Sequence, residues 1–86
     1  MEDISKLREE IDSIDEEIVK LLEKRMEISL KIGKCKKQNN INVLDKSREK
    51  EIIKSRVEFL KNNDFKQPLE KLLKLIMEIS RELQYK

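Results

Sequence analysis

Eight polar side chains in this sequence have types and spacings that could do chemistry, and the cations among them could grip a small anion: Arg8, Arg25, Lys36, Asp45, Arg48, Glu49, Ser80 and Gln84. Arg25 and Lys36 are eleven residues apart, so on one helix they lie within about 20° of each other and roughly 16 Å apart along the axis. Two long cationic side chains at that spacing can converge on one anion. Arg8 precedes Arg25 by seventeen residues, which places it about 25 Å away and turned by roughly 100°. It cannot easily share a small-molecule site with Arg25 of its own helix, but in an antiparallel pair of such helices Arg8 of one chain can approach Arg25 of the other. Asp45, Arg48 and Glu49 occupy successive faces of one turn where a second helix begins, and a helix start offers free backbone N–H groups to a ligand oxygen. Ser80 and Gln84 are i,i+4 neighbours on the side of Leu73 and Ile76, so a hydroxyl and an amide face inward where a packing helix would continue with Leu or Ile. The chain contains no histidine and one cysteine. Histidine triads, histidine zinc sites and cysteine cages are therefore absent from its repertoire. Any catalysis must run on Arg, Lys, carboxylates and amides.

Each residue also has a plainer reading. Arg8 reads as a solvated or ion-paired surface residue, Arg25 as one half of a register-setting interhelical salt bridge, and Lys36 as a cation suited to a helix C-terminus. Asp45 is a good N-cap, and Glu49 could pair with a Lys or Arg of its own helix. Ser80 could bond back to its own helix, and Gln84 could fray at the chain end. Cys35 reads as a small buried hydrophobe.

The elements that must position these groups are helices. Steps of three and four from Ile4 pass through Leu7, Ile11, Ile14, Ile18, Leu21, Arg25, Ile28, Ile32 and Cys35, an apolar seam interrupted only by the Arg25 guanidinium. Such a stripe belongs to a long helix packed on other helices. A charge in a dry seam costs several kcal/mol unless it meets a protein carboxylate or a bound anion. Asp3 or Ser5 caps this helix, which continues to about Gln38 and spans roughly 50 Å. A compact monomer of this size has a radius of gyration near 12 Å, so the helix outgrows its own globule and a second copy is the economical cover for its stripe. Gly33 inside the helix costs about 1 kcal/mol relative to Ala, which suggests the close approach of another backbone or a ligand. After Gln38, Asn39 and Asn40, Asp45 caps a second helix expected to run to about Lys61, with Ile52, Ile53, Val57 and Leu60 as its apolar face. Asn62, Asn63 and Asp64 break it. Pro68 lies near the first turn of a third helix with the stripe Leu69, Leu72, Leu73, Ile76, Ile79, Ser80, Leu83.

Composition agrees with long amphipathic helices, at 44% charged residues, 3% aromatic, one Gly and one Pro in 86 residues. Twenty basic against 18 acidic side chains leave a net charge of +2, too small for a general nucleic-acid footprint. Two Phe and one Tyr form no stacking platform for bases. No apolar run approaches the roughly 20 residues needed to span a membrane. The charged start MEDISKLREE lacks the apolar stretch of a secretion signal, so a cytoplasmic location is expected.

Taken in order, LREEIDSID (Leu7 to Asp15), LLEKRMEIS (Leu21 to Ser29), IGKCK (Ile32 to Lys36), DKSRE (Asp45 to Glu49) and EISRELQ (Glu78 to Gln84) resemble the all-helical AroQ class of chorismate mutases over nearly the full length. The resemblance implies an all-α fold, three helices per chain, intertwined as a homodimer with two equivalent sites, residues 1–86 forming one monofunctional domain. It implies isomerase activity in phenylalanine and tyrosine biosynthesis, the rearrangement of chorismate to prephenate, with no cofactor. It further implies that Arg8 is donated to the partner's site, that Arg8 and Arg25 bind the two carboxylates, and that Lys36 and Gln84 meet the ether oxygen. Glu49 and the backbone at Asp45 would hold the ring hydroxyl, Ser80 would assist a carboxylate and Arg48 would orient the cluster.

The inventory suits that reaction, which transfers no proton and forms no covalent intermediate. It needs a flexible dianion held folded, which bidentate arginines provide, and fixed donors where charge grows on the ether oxygen. Two other readings share these residues: an isochorismate-pyruvate lyase, which the Asp45, Arg48 and Glu49 cluster disfavours, and a non-enzymatic helical assembly or chorismate-sensing module.

Overall fold

The computed structural model describes residues 3–86. Three α-helices carry nearly all of it: α1 (Ile4–Gln38), α2 (Lys46–Val57) and α3 (Lys66–Gln84), with a short 3-10 turn at Asn63–Phe65 leading into α3. Asp3 is the α1 cap, its carboxylate accepting the Ser5 N–H at 3.0 Å. Lys36 and Lys37 stand in the last turn, where the macrodipole favours cations. The helix closes on a two-bond C-terminal lock: Ile41 N–H donates to Lys36 O at 2.8 Å and Asn40 N–H to Lys37 O at 3.4 Å. That lock requires a left-handed residue, which Asn40 supplies at φ 55°. Asn tolerates this conformation better than most residues.

Asp45 caps α2 by accepting the Arg48 N–H at 2.9 Å. The helix ends at Val57 rather than near Lys61, because Phe59 and Leu60 already bond back three residues, to Arg56 and Val57. The tightened turn releases the chain into Asn62, whose side chain accepts from Asp64 N–H at 2.9 Å. Pro68 sits in the first turn of α3, where its missing N–H leaves no bond unmade.

α3 packs on both α1 and α2. The core is small: Ile52, Leu73 and Met77 are buried, with Ile53 and Leu69 against them. Met77 lies outside the expected α3 stripe, and Leu72, inside it, is exposed. On α1 only Ser29 and Gly33 are buried. Every residue from 3 to 21 is exposed, and the seam residues Ile4 through Leu21 are 37 to 62% exposed in the single chain. Cys35 is likewise exposed rather than buried, because α3 passes the other side of that turn, against Gly33. The molecule measures 57 × 24 × 15 Å with a radius of gyration of 16.2 Å, well above the 12 Å or so of a compact chain this long. No helix among the described residues is long and apolar enough to cross a membrane.

Candidate active site

Seven of the eight nominated residues line one cavity of about 70 Å³ where the C-terminal ends of α1 and α3 meet the start of α2: Arg25, Lys36, Asp45, Arg48, Glu49, Ser80 and Gln84. Arg8 does not join them. It lies on the exposed N-terminal half of α1, as its distance along the helix requires.

The connection after α1 is held over the cavity by Lys36, whose Nζ donates to Val43 O at 2.9 Å. Two further ammonium hydrogens remain for a ligand. Asp45 serves as the α2 cap. The Arg48 guanidinium turns along its own helix to Glu51 Oε1 at 3.1 Å. Glu49 takes a partner from another helix rather than from its own: Arg81 Nη1 lies 2.5 and 2.6 Å from its two carboxylate oxygens. That hydrogen bond raises the Arg81 guanidinium above its already high usual pKa.

Gln84 does not fray. It is the last residue of α3, half-buried, and its Nε2 donates to Ser80 Oγ at 3.3 Å. Ser80 in turn shares a 2.7 Å hydrogen bond with Ser29 of α1 rather than bonding back to its own helix. Gln84 Oε1 is buried without a partner. Turning the amide by 180° would let Oε1 accept the Ser80 hydroxyl and leave both N–H donors for the cavity. Gly33 makes this corner possible: a Cβ there would lie 2.6 Å from Gln84 Cα and 2.9 Å from its carbonyl carbon. The close backbone approach read from Gly33 is the approach of α3.

Arg25 is half-buried and has no carboxylate partner among the described residues. Burial lowers its pKa from the usual arginine value, and the charge of Arg56 lowers it further. A salt bridge within the chain is therefore not what holds this guanidinium in the seam. Arg25 and Ser80 also line an adjoining apolar groove between α1 and α3, about 220 Å³, walled by Leu22, Met26, Leu72 and Ile76.

Three contributors escaped the sequence reading. Arg81 sits inside the EISRELQ segment, yet its partner is 32 positions away on another helix. Ser29 is 3% exposed and signalled only by being a small polar residue one turn before Gly33. Arg56 follows buried Ile52 by four residues, and that i,i+4 spacing was its available signal.

The walls carry four cations, Arg25, Lys36, Arg48 and Arg81, against the carboxylates of Asp45 and Glu49. Asp45 is occupied as a cap and Glu49 is bound by Arg81, so no group stands ready as a general base. The arrangement suits binding and polarising a small dianion.

The chain is similar to known proteins. The chain is 44% identical over 52 residues, 60% of its length and 14% of the relative's, to a bifunctional chorismate mutase/prephenate dehydratase of Aquifex aeolicus. It is 38% identical over 56 residues, 65% of its length and 15% of the relative's, to the T-protein of Haemophilus influenzae. The match thus spans about one seventh of each of these curated relatives. The solved structure of a conserved hypothetical protein from Pyrococcus furiosus superposes with a TM-score of 0.78 at 37% identity, covering 94% of this chain and 93% of that one. The profile of "chorismate mutase type II" matches residues 7–85. All-helical architecture, the clustered cations and near-complete coverage place the chain in the chorismate mutase type II family, a family of isomerases.

Proposed function

We propose that residues 1–86 form one mutase domain that converts chorismate to prephenate, as a homodimer in which each site is completed by Arg8 of the partner subunit. The observation that carries this reading is the convergence of seven nominated residues on one cavity whose walls hold four cations and two carboxylates.

In this reading Arg25 grips one substrate carboxylate and Arg8 of the partner subunit the other, drawing the enolpyruvyl arm over the ring so that the bonding carbons approach. Holding a near-attack geometry of this kind favours the reactive conformer of the substrate. As the C–O bond breaks, negative charge gathers on the ether oxygen. Lys36 Nζ and a Gln84 N–H meet it there, donors already oriented by Val43 O and by Ser80. Fixed donors of this type are worth about 2.7–4 kcal/mol each, 100-fold to 1,000-fold in rate. Glu49 and the backbone at Asp45 receive the ring hydroxyl. Ser80 assists a carboxylate, and Arg48 orients the α2 turn.

The exposed surface supports the dimer. One chain exposes 7732 Å², whereas a compact monomer of 10.3 kDa exposes about 5,350 Å². The surplus, with the bare seam of α1, is of the size that obligate dimers bury. An antiparallel second α1 would cover that seam and bring its Arg8 to Arg25.

The test is to mix the purified protein with chorismate, without metal or cofactor, and identify the product by chromatography. Prephenate formed at an enzymatic rate is the expected result. Turnover of isochorismate to salicylate and pyruvate without prephenate would make it a lyase, and binding without turnover would make it a sensor.

A further inference from the structure

We propose that Arg81 is a positioning residue that holds the Glu49 carboxylate in place for the substrate's ring hydroxyl; the role rests on the mutase reading above.

Among the described residues, Arg81 to Glu49 is the single ion pair that joins two helices. The other two, Lys20 to Glu16 and Arg48 to Glu51, lie within one turn of a helix, with side chains 52 to 69% exposed. The Arg81 and Glu49 side chains are 30% and 24% exposed, so solvent screens this pair less. One nitrogen, Nη1, bridges both carboxylate oxygens. Bridging fixes where the carboxylate points yet leaves each oxygen a free lone pair, so Glu49 retains the capacity to accept from an incoming hydroxyl.

Charge gives the pair its purpose. A dianionic substrate entering beside an unpaired carboxylate would be repelled by it. Arg81 cancels that repulsion while leaving the acceptor intact. Loss of Arg81 would lower the wall charge from four cations against two carboxylates to three against two. Position reinforces the point, because Arg81 follows Ser80 directly and precedes Gln84 by three residues on α3. The segment that presents Ser80 and Gln84 therefore also fixes the side chain brought in by α2.

The alternative is a simple staple between α2 and α3. A double-mutant cycle on the full chain separates the two. Arg81→Met, Arg81→Lys, Glu49→Gln and Arg81→Met/Glu49→Gln are compared for kcat and KM with chorismate, with helix content and melting temperature measured on each. A positioning role predicts that Arg81→Met raises KM about tenfold with a smaller fall in kcat, that Arg81→Lys recovers most of the loss, and that the effect of Arg81→Met shrinks below about twofold in the Glu49→Gln background. A staple predicts lower melting temperatures with kcat/KM per folded protein unchanged, and that result overturns the proposal, as do additive losses. The pair has its own readout in nitrogen-15 spectra: Arg81 guanidinium rotation slowed in the wild type and released in Glu49→Gln. A free guanidinium in the wild type overturns the proposal at its base. Wild-type protein that shows the slowed guanidinium but forms no prephenate overturns the mutase reading and the role with it, whereas turnover with additive variants overturns the Arg81 role alone.

Discussion

Gly33→Ala is the sharpest perturbation, because it adds one methyl group and touches no substrate. Its Cβ would sit 2.6 Å from Gln84 Cα, where ordinary contact begins at 3.4 Å. The obstacle is backbone, so no side-chain rotation relieves it, and the end of α3 must move by about 1 Å. Misplacement of that size at a reacting centre costs on the order of 100-fold, or about 2.7 kcal/mol of transition-state stabilisation. Stability responds less. Ala gains about 1 kcal/mol of helix propensity in α1, set against an overpacking cost of about 1–3 kcal/mol. The melting temperature should fall by no more than roughly 8–16 °C for a net loss of up to about 2 kcal/mol in a domain this size. The assay is kcat at saturating chorismate, at a temperature where helix content shows both proteins folded. Cys35→Ala, two residues along and exposed, is the control and should leave kcat unchanged. A Gly33→Ala enzyme with kcat within about threefold of wild type would refute the reasoning, since it would mean that the position of Gln84 does not set the rate.

The remaining predictions concern the dimer and the supports of the site. Mixing inactive Arg8→Ala with inactive Lys36→Ala should restore activity, because each mixed dimer has one site free of both substitutions; equal amounts give about one quarter intact sites, and no recovery despite proven subunit exchange would exclude a shared site. Ser29→Ala removes the 2.7 Å bond to Ser80 and should lower kcat about fivefold, the equivalent of roughly 1 kcal/mol, with KM changed less; unchanged kcat would show that Ser80 and Gln84 hold their places unaided. Arg56→Met removes the charge facing Arg25. Discounted for solvent screening, about 0.5 kcal/mol of relieved repulsion should raise the melting temperature by roughly 2–4 °C at low salt, with a smaller gain in 1 M salt, where screening is nearly complete; a lower melting temperature would show that Arg56 is held by attraction instead.

Helix type and most boundaries were legible because their signals are local. The period of three and four from Ile4, the Asp3 and Asp45 caps and the Asn39–Asn40 stop are each encoded within a few residues of where they act. The premature end of α2 was not legible, since an α-turn and a tighter turn read alike in an apolar run ending at Leu60. Burial was legible only as a stripe. The stripe named Leu73 but not Met77, it marked Cys35 as interior when the side of α1 that faces α3 is a different one, and it marked Leu72 as interior although Leu72 lines an open groove. The candidate site divides the same way. Spacing placed Arg25 over Lys36 and Ser80 over Gln84, and it set Arg8 apart. Arg81 and Ser29 were missed because their partners, Glu49 and Ser80, come from other helices, and no window along the chain holds both halves of such a pair.

So small a core does not hold the chain by itself. Three buried apolar side chains cannot hold a 35-residue helix against the loss of chain entropy, at about 1–2 kcal/mol per residue for the backbone alone. Folding therefore needs the surface that α1 leaves bare. If a second copy covers it, the contact that stabilises the fold also delivers the second arginine, and a chain without its partner is both marginally folded and missing one carboxylate grip. Folding and activity should then depend on protein concentration together. The rearrangement asks the protein for no proton, nucleophile or metal, only for charges that stay where they are put. A fold whose rigidity comes from long helices, a glycine-tight crossing at Gln84 and a bridging Arg81 suits that demand.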